Sequence, residues 1–213
     1  VVADDLKFKD GDKLHLLLEA QTTDKILVYA SNGRFYTIGG DKLPSGCGFG
    51  EPVRLMQDIP TDVDVVDLII YKPDTKYVVA STDGRGFIVN SVDLMASTRG
   101  GKLVLNCKLP IKAQICQEIN ADDDSVAVIG ENRKMLIFGM DELPEMGKGK
   151  GVIIQRYKDG GLSDIKTFNA EAKLRYRYGA GETSLDDTMP WIGKRASAGR
   201  LPPNGFPKNN KFG

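Results

Sequence analysis

One histidine, one tryptophan and three cysteines in 213 residues leave little material for several kinds of chemistry. His15 stands alone, so neither a paired-imidazole catalyst nor a histidine-built metal site can be assembled. It falls in the apolar run from Leu14 to Leu18, where a packed or edge-strand imidazole is expected. Cys47, Cys107 and Cys116 are odd in number and form no Cys-x-x-Cys pair. That argues against a disulfide framework or zinc site and for free thiols in a reducing compartment. No stretch reaches the roughly 18 apolar residues of a membrane-spanning helix. The opening residues, Val1-Val2-Ala3-Asp4-Asp5, lack the charged-then-apolar pattern of a signal peptide. Gly147 to Gly151 is glycine-rich, but no Gly-Lys-Ser/Thr leads into a helix, so it is not a nucleotide-binding P-loop. The run Asp122-Asp123-Asp124 lies between strand-like segments and is expected to be a solvated turn rather than a magnesium site. No cofactor and no metal are expected.

Net charge is missing too, since 29 Lys and Arg balance 29 Asp and Glu. A nucleic-acid binder usually shows a basic domain instead. The balance hides zoning. No acid occurs from Leu94 to Gln117, from Met146 to Lys158, or from Thr188 to Gly213, and each of these stretches carries several bases. The acids gather elsewhere, at Asp4, Asp5, Asp10 and Asp12, at Asp58, Asp62, Asp64 and Asp67, and at Asp122 to Asp124. Segregation of this kind makes a dipolar surface, and a local basic stripe attracts a polyanion whatever the total charge.

What the chain does have is a repeat. Ile26 to Phe35 (ILVYASNGRF) returns as Tyr77 to Gly86 (YVVASTDGRG) and, more worn, as Val126 to Met135 (VAVIGENRKM). Gly33 to Gly84 is a step of 51 residues, and Gly84 to Asn132 a step of 48. A second anchor keeps the same stride: Asp41-Lys42-Leu43-Pro44, then Asp93-Leu94, then Asp141-Glu142-Leu143-Pro144. Two anchors moving together at about 50 residues mark propeller blades or a repeat array.

Each unit reads as strands. Apolar runs of strand length occupy 14–18, 63–71 and 111–119. A second run ends at Asn32-Gly33, Asp83-Gly84 or Glu131-Asn132, and the first two dipeptides suit a tight hairpin turn. Returning strands follow at 35–38, 87–89 and 135–138, and last strands at 53–56, 103–106 and 152–155. Four short strands in about 50 residues predict one blade-sized sheet per unit, in an all-β, propeller-like domain. The units lie near 11–61, 62–110, 111–160 and, degenerate, 161–201, with strand-like segments at 164–168 and 174–178. Residues 202–213, rich in Pro, Gly and Asn, are expected to be a loose tail.

The bases gather in the loop after each Asp-x-Leu anchor. Unit two has Ser97-Thr98-Arg99-Gly100-Gly101-Lys102, and unit three has Gly147-Lys148-Gly149-Lys150-Gly151. Unit four has Gly193-Lys194-Arg195-Ala196-Ser197-Ala198-Gly199-Arg200. Unit one keeps the glycines of this loop, Ser45 to Glu51, but has no base. Glycine lets a backbone approach a phosphate, while Lys and Arg displace its counterions. On a round body equivalent loops share one rim, along which a bent duplex can run. The expected phosphate contacts are Arg99, Lys102, Lys108, Lys148, Lys150, Arg156, Lys158, Lys194, Arg195 and Arg200. No base-reading motif accompanies them, so contact independent of base sequence is expected.

Leu27-Val28-Tyr29-Ala30-Ser31-Asn32-Gly33-Arg34, then Leu43-Pro44, then a glycine-rich loop that carries lysine in later units, then a strand, resembles the C-terminal domain of type IIA topoisomerase A subunits. This family includes gyrase A and its topoisomerase IV counterpart. The resemblance covers roughly residues 10–170 by repeat, and Met189 to Arg200 looks like a topoisomerase IV A-chain terminus. It implies a β-pinwheel, a propeller-like ring whose blades exchange strands, with a basic outer edge that binds and bends double-stranded DNA. It also implies a non-catalytic part of an ATP-dependent type II topoisomerase, cytoplasmic and chromosome-associated, monomeric as an isolated domain. Its partners would be the B (ATPase) subunit, the remainder of its own polypeptide and the DNA, and the cleaving tyrosine would lie outside this chain. That tyrosine follows an arginine in the family. Arg156-Tyr157 and Arg175-Tyr176 show the dipeptide but sit in strand-like repeats, so neither is assigned the role. Gyrase A carries a Gln-Arg-Arg-Gly-Gly-Lys-Gly box for full wrapping. Here Arg99-Gly100-Gly101-Lys102 is kept but Ser97-Thr98 stands where Gln-Arg would be. The departure favours topoisomerase IV, with a role in substrate preference during strand passage and decatenation. The alternatives are a gyrase-type wrapping domain and a propeller-type protein-interaction module whose acidic clusters form the working face.

Overall fold

The computed structural model describes residues 15–44 and 52–213. The first repeat supplies β1 (Lys25–Ala30), β2 (Arg34–Gly39) and one helical turn, α1 (Val53–Met56). The second supplies β3 (Val65–Ile70), β4 (Lys76–Ser81), β5 (Arg85–Asn90) and the two-residue β6 (Lys102–Leu103). The third supplies β7 (Ala113–Ile119), β8 (Ser125–Gly130), β9 (Met135–Gly139) and β10 (Val152–Ile153). The fourth supplies β11 (Leu162–Phe168) and a hairpin, β12 (Leu174–Tyr178) with β13 (Gly181–Leu185). The Asp-x-Leu anchors lie at short 3-10 turns, Gly40–Lys42, Ser91–Leu94 and Met140–Glu142, that end each returning strand.

The sheets do not follow the repeats. Their orders are β3-β1-β2-β6, then β7-β4-β5-β10, then β11-β8-β9. A hairpin from one repeat forms the middle of each sheet, and the first and last strands of the next repeat flank it. In the third sheet the last flank is reduced to isolated bridges, Ile137 with Ile192 and Met135 with Arg200. One blade per unit, as the spacing alone predicts, is therefore corrected to one blade per pair of neighbouring units. This exchange is what the family resemblance implies. β7 packs against both β3 and β11, so these three edge strands converge in the middle of the body. The opposite edges, at β6, β10 and Arg200, face outward.

The turn chemistry explains why the exchange works. Gly33 and Gly84 both sit at φ +80, a conformation that side chains resist. Each also receives the exchanged segment at close range. A Cβ on Gly33 would overlap the Leu105 carbonyl oxygen, and one on Gly84 would lie 2.9 Å from Gln155 O. The Gly33 carbonyl accepts from Leu105 N–H (3.0 Å), and the Gly84 carbonyl accepts from Ile154 N–H (2.7 Å). In the third repeat Arg133 takes this place at φ 59, which costs about 1–2 kcal/mol. Its guanidinium offsets that by donating to Pro207 O (3.0 Å), Phe206 O (3.3 Å) and Asn210 Oδ1 (2.8 Å).

The hairpin strands are apolar on both faces because each serves two cores. Tyr77 and Val79 of β4 join Leu27, Tyr29 and Phe35 between the first and second sheets. Val78 and Ala80 of the same strand join Val126, Val128 and Phe138 between the second and third. Period-two alternation then carries no polar face, and the strands read as continuous hydrophobic runs. A further core seals the third sheet against the last hairpin. Another caps the far face of the first sheet with Ile59, Val63 and α1.

Three local expectations are corrected. Residues 15–18 are not a strand; His15 is exposed, its Nε2 3.4 Å from Val65 O, and Leu14 lies outside the described residues. Val53–Met56 is helical rather than extended, because the edge it would pair with is taken: β6 lies against Arg34 and Phe35 of β2. The segment 202–213 is seated rather than loose. Phe206 and Phe212 are 4% and 2% exposed and fill the third core, which a two-stranded hairpin alone leaves open. Phe212 N–H donates to Asp164 Oδ2 (2.9 Å) and Arg177 N–H to Phe212 O (2.7 Å).

Candidate nucleic-acid interface

The basic loops follow one path. Residues 144–152 enter beside β5 (Ile88 with Glu145), touch the preceding repeat at Leu105 with Gly149, and leave as β10. Residues 192–200 enter beside β9 (Ile137 with Ile192), donate from Ala196 N–H to Ile154 O at 2.8 Å, and leave through Arg200. The second repeat's loop turns at Thr98–Gly101 and leaves as β6 against β2. Strand exchange thus carries each loop to the outward edge of a successive sheet. The expected equivalence of the loops holds for 97–102, 147–151 and 193–200. The loop of unit one, with Cys47 and Glu51, lies outside the described residues.

The candidate bases differ in what they are free to do. Lys108 and Lys150, from different repeats, line one cavity of about 260 Å³ with Ser81, Asp83, Asn106, Cys107 and Ile111. Arg156 lines an adjoining open depression with Asp83, Arg85, Gln155 and Tyr157. Lys148, Lys158, Lys194 and Arg200 are exposed, and Lys102 is half-buried within β6. Among the described residues none of these is paired with a carboxylate. Arg99 is exposed but braced, donating to Leu55 O (2.9 Å) and lying 3.8 Å from Asp58. Arg195 is half-buried and more tightly braced. Its Nη1 donates to Ile153 O (2.6 Å), its backbone N–H donates to Glu142 Oε1 (3.0 Å), and its buried Nε has no partner among the described residues.

Two bases outside the expected set lie beside these loops. Arg34 donates to Gly100 O and Gly101 O at 3.4 Å, placing it against the second repeat's basic loop. Arg85 pairs with Ile153 of β10 and lines the same depression as Arg156. The signal is in the repeat itself, as Gly33-Arg34 and Gly84-Arg85, but reads only as a turn until exchange brings the next repeat's loop alongside. Arg54, by contrast, donates to the carbonyls of Pro60 and Val63 and is structural.

The remaining titratable groups do not suggest chemistry. Burial pushes the Tyr157 hydroxyl well above the usual phenol range, with Asp83 and Glu131 adding to it. Tyr176 is 5% exposed and the Tyr157 hydroxyl is buried, so neither Arg-Tyr dipeptide presents its phenol oxygen to solvent. Burial likewise raises the Cys107 and Cys116 thiols, as suits packed free cysteines. The Asp122–Asp124 turn is internally committed rather than simply solvated. Asp123 Oδ2 accepts from Asn120 N–H and Thr167 Oγ1, and Asp124 Oδ1 from Ala170 N–H.

The architecture is a β-pinwheel with a basic outer edge. The solved C-terminal domain of ParC from E. coli superposes with a TM-score of 0.82 at 24% identity, covering 98% of this chain and 88% of that one. A gyrase A C-terminal domain superposes at 0.67 and 14% identity, over 92% and 65%. In sequence, the chain is 46% identical over 208 residues to the A subunit of DNA topoisomerase 4 from Rickettsia bellii, covering 97% of this chain and 28% of that protein. The corresponding protein of Caulobacter vibrioides is 46% identical over 209 residues, covering 98% and 27%. The chain thus spans a little over a quarter of the length of these relatives. No family model matches it. The chain belongs to the topoisomerase IV A-subunit family and corresponds to the ParC C-terminal domain.

Proposed function

We propose that this domain holds a duplex DNA segment along its outward edge, bends it, and so sets which crossings a topoisomerase IV passes. The observation that carries the reading is the placement of three basic loops, by one repeated strand exchange, on the outward edges of three successive sheets. Backbone placement of this kind suits phosphate contact independent of base sequence. The domain supplies no cleavage chemistry. Its proposed partners are chromosomal DNA in the cytoplasm, the remainder of the ParC polypeptide and the ATPase subunit. The protein-interaction alternative keeps net neutrality in its favour, but one of its acidic clusters is partly committed, since the Asp123 and Asp124 carboxylates accept hydrogen bonds within the fold.

Bending a short site costs about 1–6 kcal/mol, which contacts along the edge must offset. Only part of the gyrase-type box survives, at Arg99 to Lys102, and its arginine is tied to Leu55 O. Bending without a complete wrap is the expected result. The isolated domain should bring the ends of a labelled duplex closer by fluorescence transfer, yet trap little writhe when a nicked circle is religated in its presence. Strong trapping of positive writhe would favour gyrase-type wrapping instead.

A further inference from the structure

At the seam between the second and third repeats, Asp83 sits among bases. It lines both the cavity that holds Lys108 and Lys150 and the depression that holds Arg85 and Arg156. Its side chain is 27% exposed, with Oδ2 3.8 Å from Arg85 Nε and Oδ1 bonded to Ser81 Oγ. Across Tyr157, Glu131 is occupied by the Gly161 N–H at 3.0 Å.

The repeat supplies its own comparison. Because Arg133, one residue beyond the step of 48, takes the positive-φ place of Gly33 and Gly84, the residues equivalent to Asp83 in the structure are Asn32 and Asn132 rather than Glu131. Asn32 Oδ1 accepts the Arg34 N–H at 3.0 Å, and Asn132 Oδ1 accepts the Lys134 N–H at 3.1 Å. A neutral amide therefore satisfies this turn in both neighbouring repeats. Gly84 after Asp83 has the same φ of +80 as Gly33 after Asn32, so the backbone demands nothing different. The negative charge at Asp83 is not required by the fold, and it stands where four bases from two repeats converge.

Building on the duplex-binding reading, we infer that Asp83 is a built-in counter-anion of the basic edge. It holds Arg85 in the free protein and excludes one phosphate from the seam, lowering affinity and keeping the duplex exchangeable. Like charge across a partly desolvated seam repels a phosphate at short range, and salt screens the repulsion only in part. Replacing the carboxylate by the amide that the other repeats use releases Arg85 to the duplex.

The test is a salt titration of duplex binding by the 213-residue chain, its Asp83→Asn variant and its Asp122→Asn variant. Asp122→Asn removes the same charge from an exposed position on the 120–124 turn. Asp83→Asn should steepen the slope of log K against log salt by about 0.9 and raise affinity about eightfold at 0.1 M, one phosphate's worth. Asp122→Asn should change neither quantity. An unchanged Asp83→Asn variant, or an equal gain in both variants, overturns the inference while leaving duplex binding intact. Absence of salt-dependent binding by the parent chain instead overturns the duplex-binding reading itself.

Discussion

Replacing Lys108 and Lys150 together by alanine will weaken duplex binding about 60-fold at 0.1 M salt, with a slope shallower by about 1.8. The figure follows from counterion release: each phosphate contact contributes about 0.9 to the slope, or roughly eightfold at that salt concentration. The pair is chosen because strand exchange brings the two lysines to one cavity from repeats that are separate in sequence. Both are exposed, and neither is paired with a carboxylate among the described residues, so folding should be unaffected. Electrophoretic mobility or fluorescence anisotropy across a salt series measures both quantities, and a thermal melt confirms the fold. A loss below about threefold, well short of one phosphate's worth, would mean that the duplex runs elsewhere, with Arg34 and Arg99 the next candidates.

The second large effect is on stability. Phe212→Ala should cost about 3–5 kcal/mol, the usual range for removing a buried phenylalanine. For a domain of this size that lowers the melting temperature by on the order of 10 °C. Phe212 meets Phe206 edge-on with centroids 5.4 Å apart, and Phe206 in turn meets Tyr176 at 5.2 Å. Together they close the core that the two-stranded last hairpin leaves open. Calorimetry on the intact chain and on the variant decides the matter. A loss under about 1 kcal/mol, far below the usual cost, would mean that 202–213 contributes little and that its seat at Arg133 is incidental.

How much is legible in the sequence follows from what repeats and what does not. The Asn-Gly and Asp-Gly turns, the returning strands and the Asp-x-Leu anchors are local signals, and each reads in its correct place. Which sheet a strand joins is not local. β3 and β7 read as the first strands of their own repeats, yet they pair with β1 and β4 of the repeats before. Nothing in the apolar pattern of 63–71 distinguishes the two sheets, because the strand is partly buried along its whole length either way. The same blindness hides Arg34 and Arg85. The tail misleads for a different reason: Pro, Gly and Asn signal irregular backbone, which is what 202–213 has, but say nothing about burial. Phe206 and Phe212 are the better signal there. Loop position does not tell exposure either, since the loop turns the Arg195 guanidinium back to the Ile153 carbonyl.

Neutral overall charge, the feature of composition that argues most strongly against a nucleic-acid partner, is accommodated by geography. Asp123 and Asp124 are spent on the turn between β7 and β8, whereas the edge loops carry bases with few acids nearby. A polyanion responds to the local field within about a Debye length, roughly 10 Å at 0.1 M salt, rather than to the sum over the chain. Asp83 stands among these bases, as Asp58 stands beside Arg99.

The most direct test of the central claim is the salt dependence of duplex binding by the unmodified chain, measured on two duplexes of unrelated sequence. Four to six phosphate contacts along the edge predict a slope of log K on log salt of about −4 to −5, the same for both sequences. A slope near zero, or a strong preference for one duplex, would contradict it.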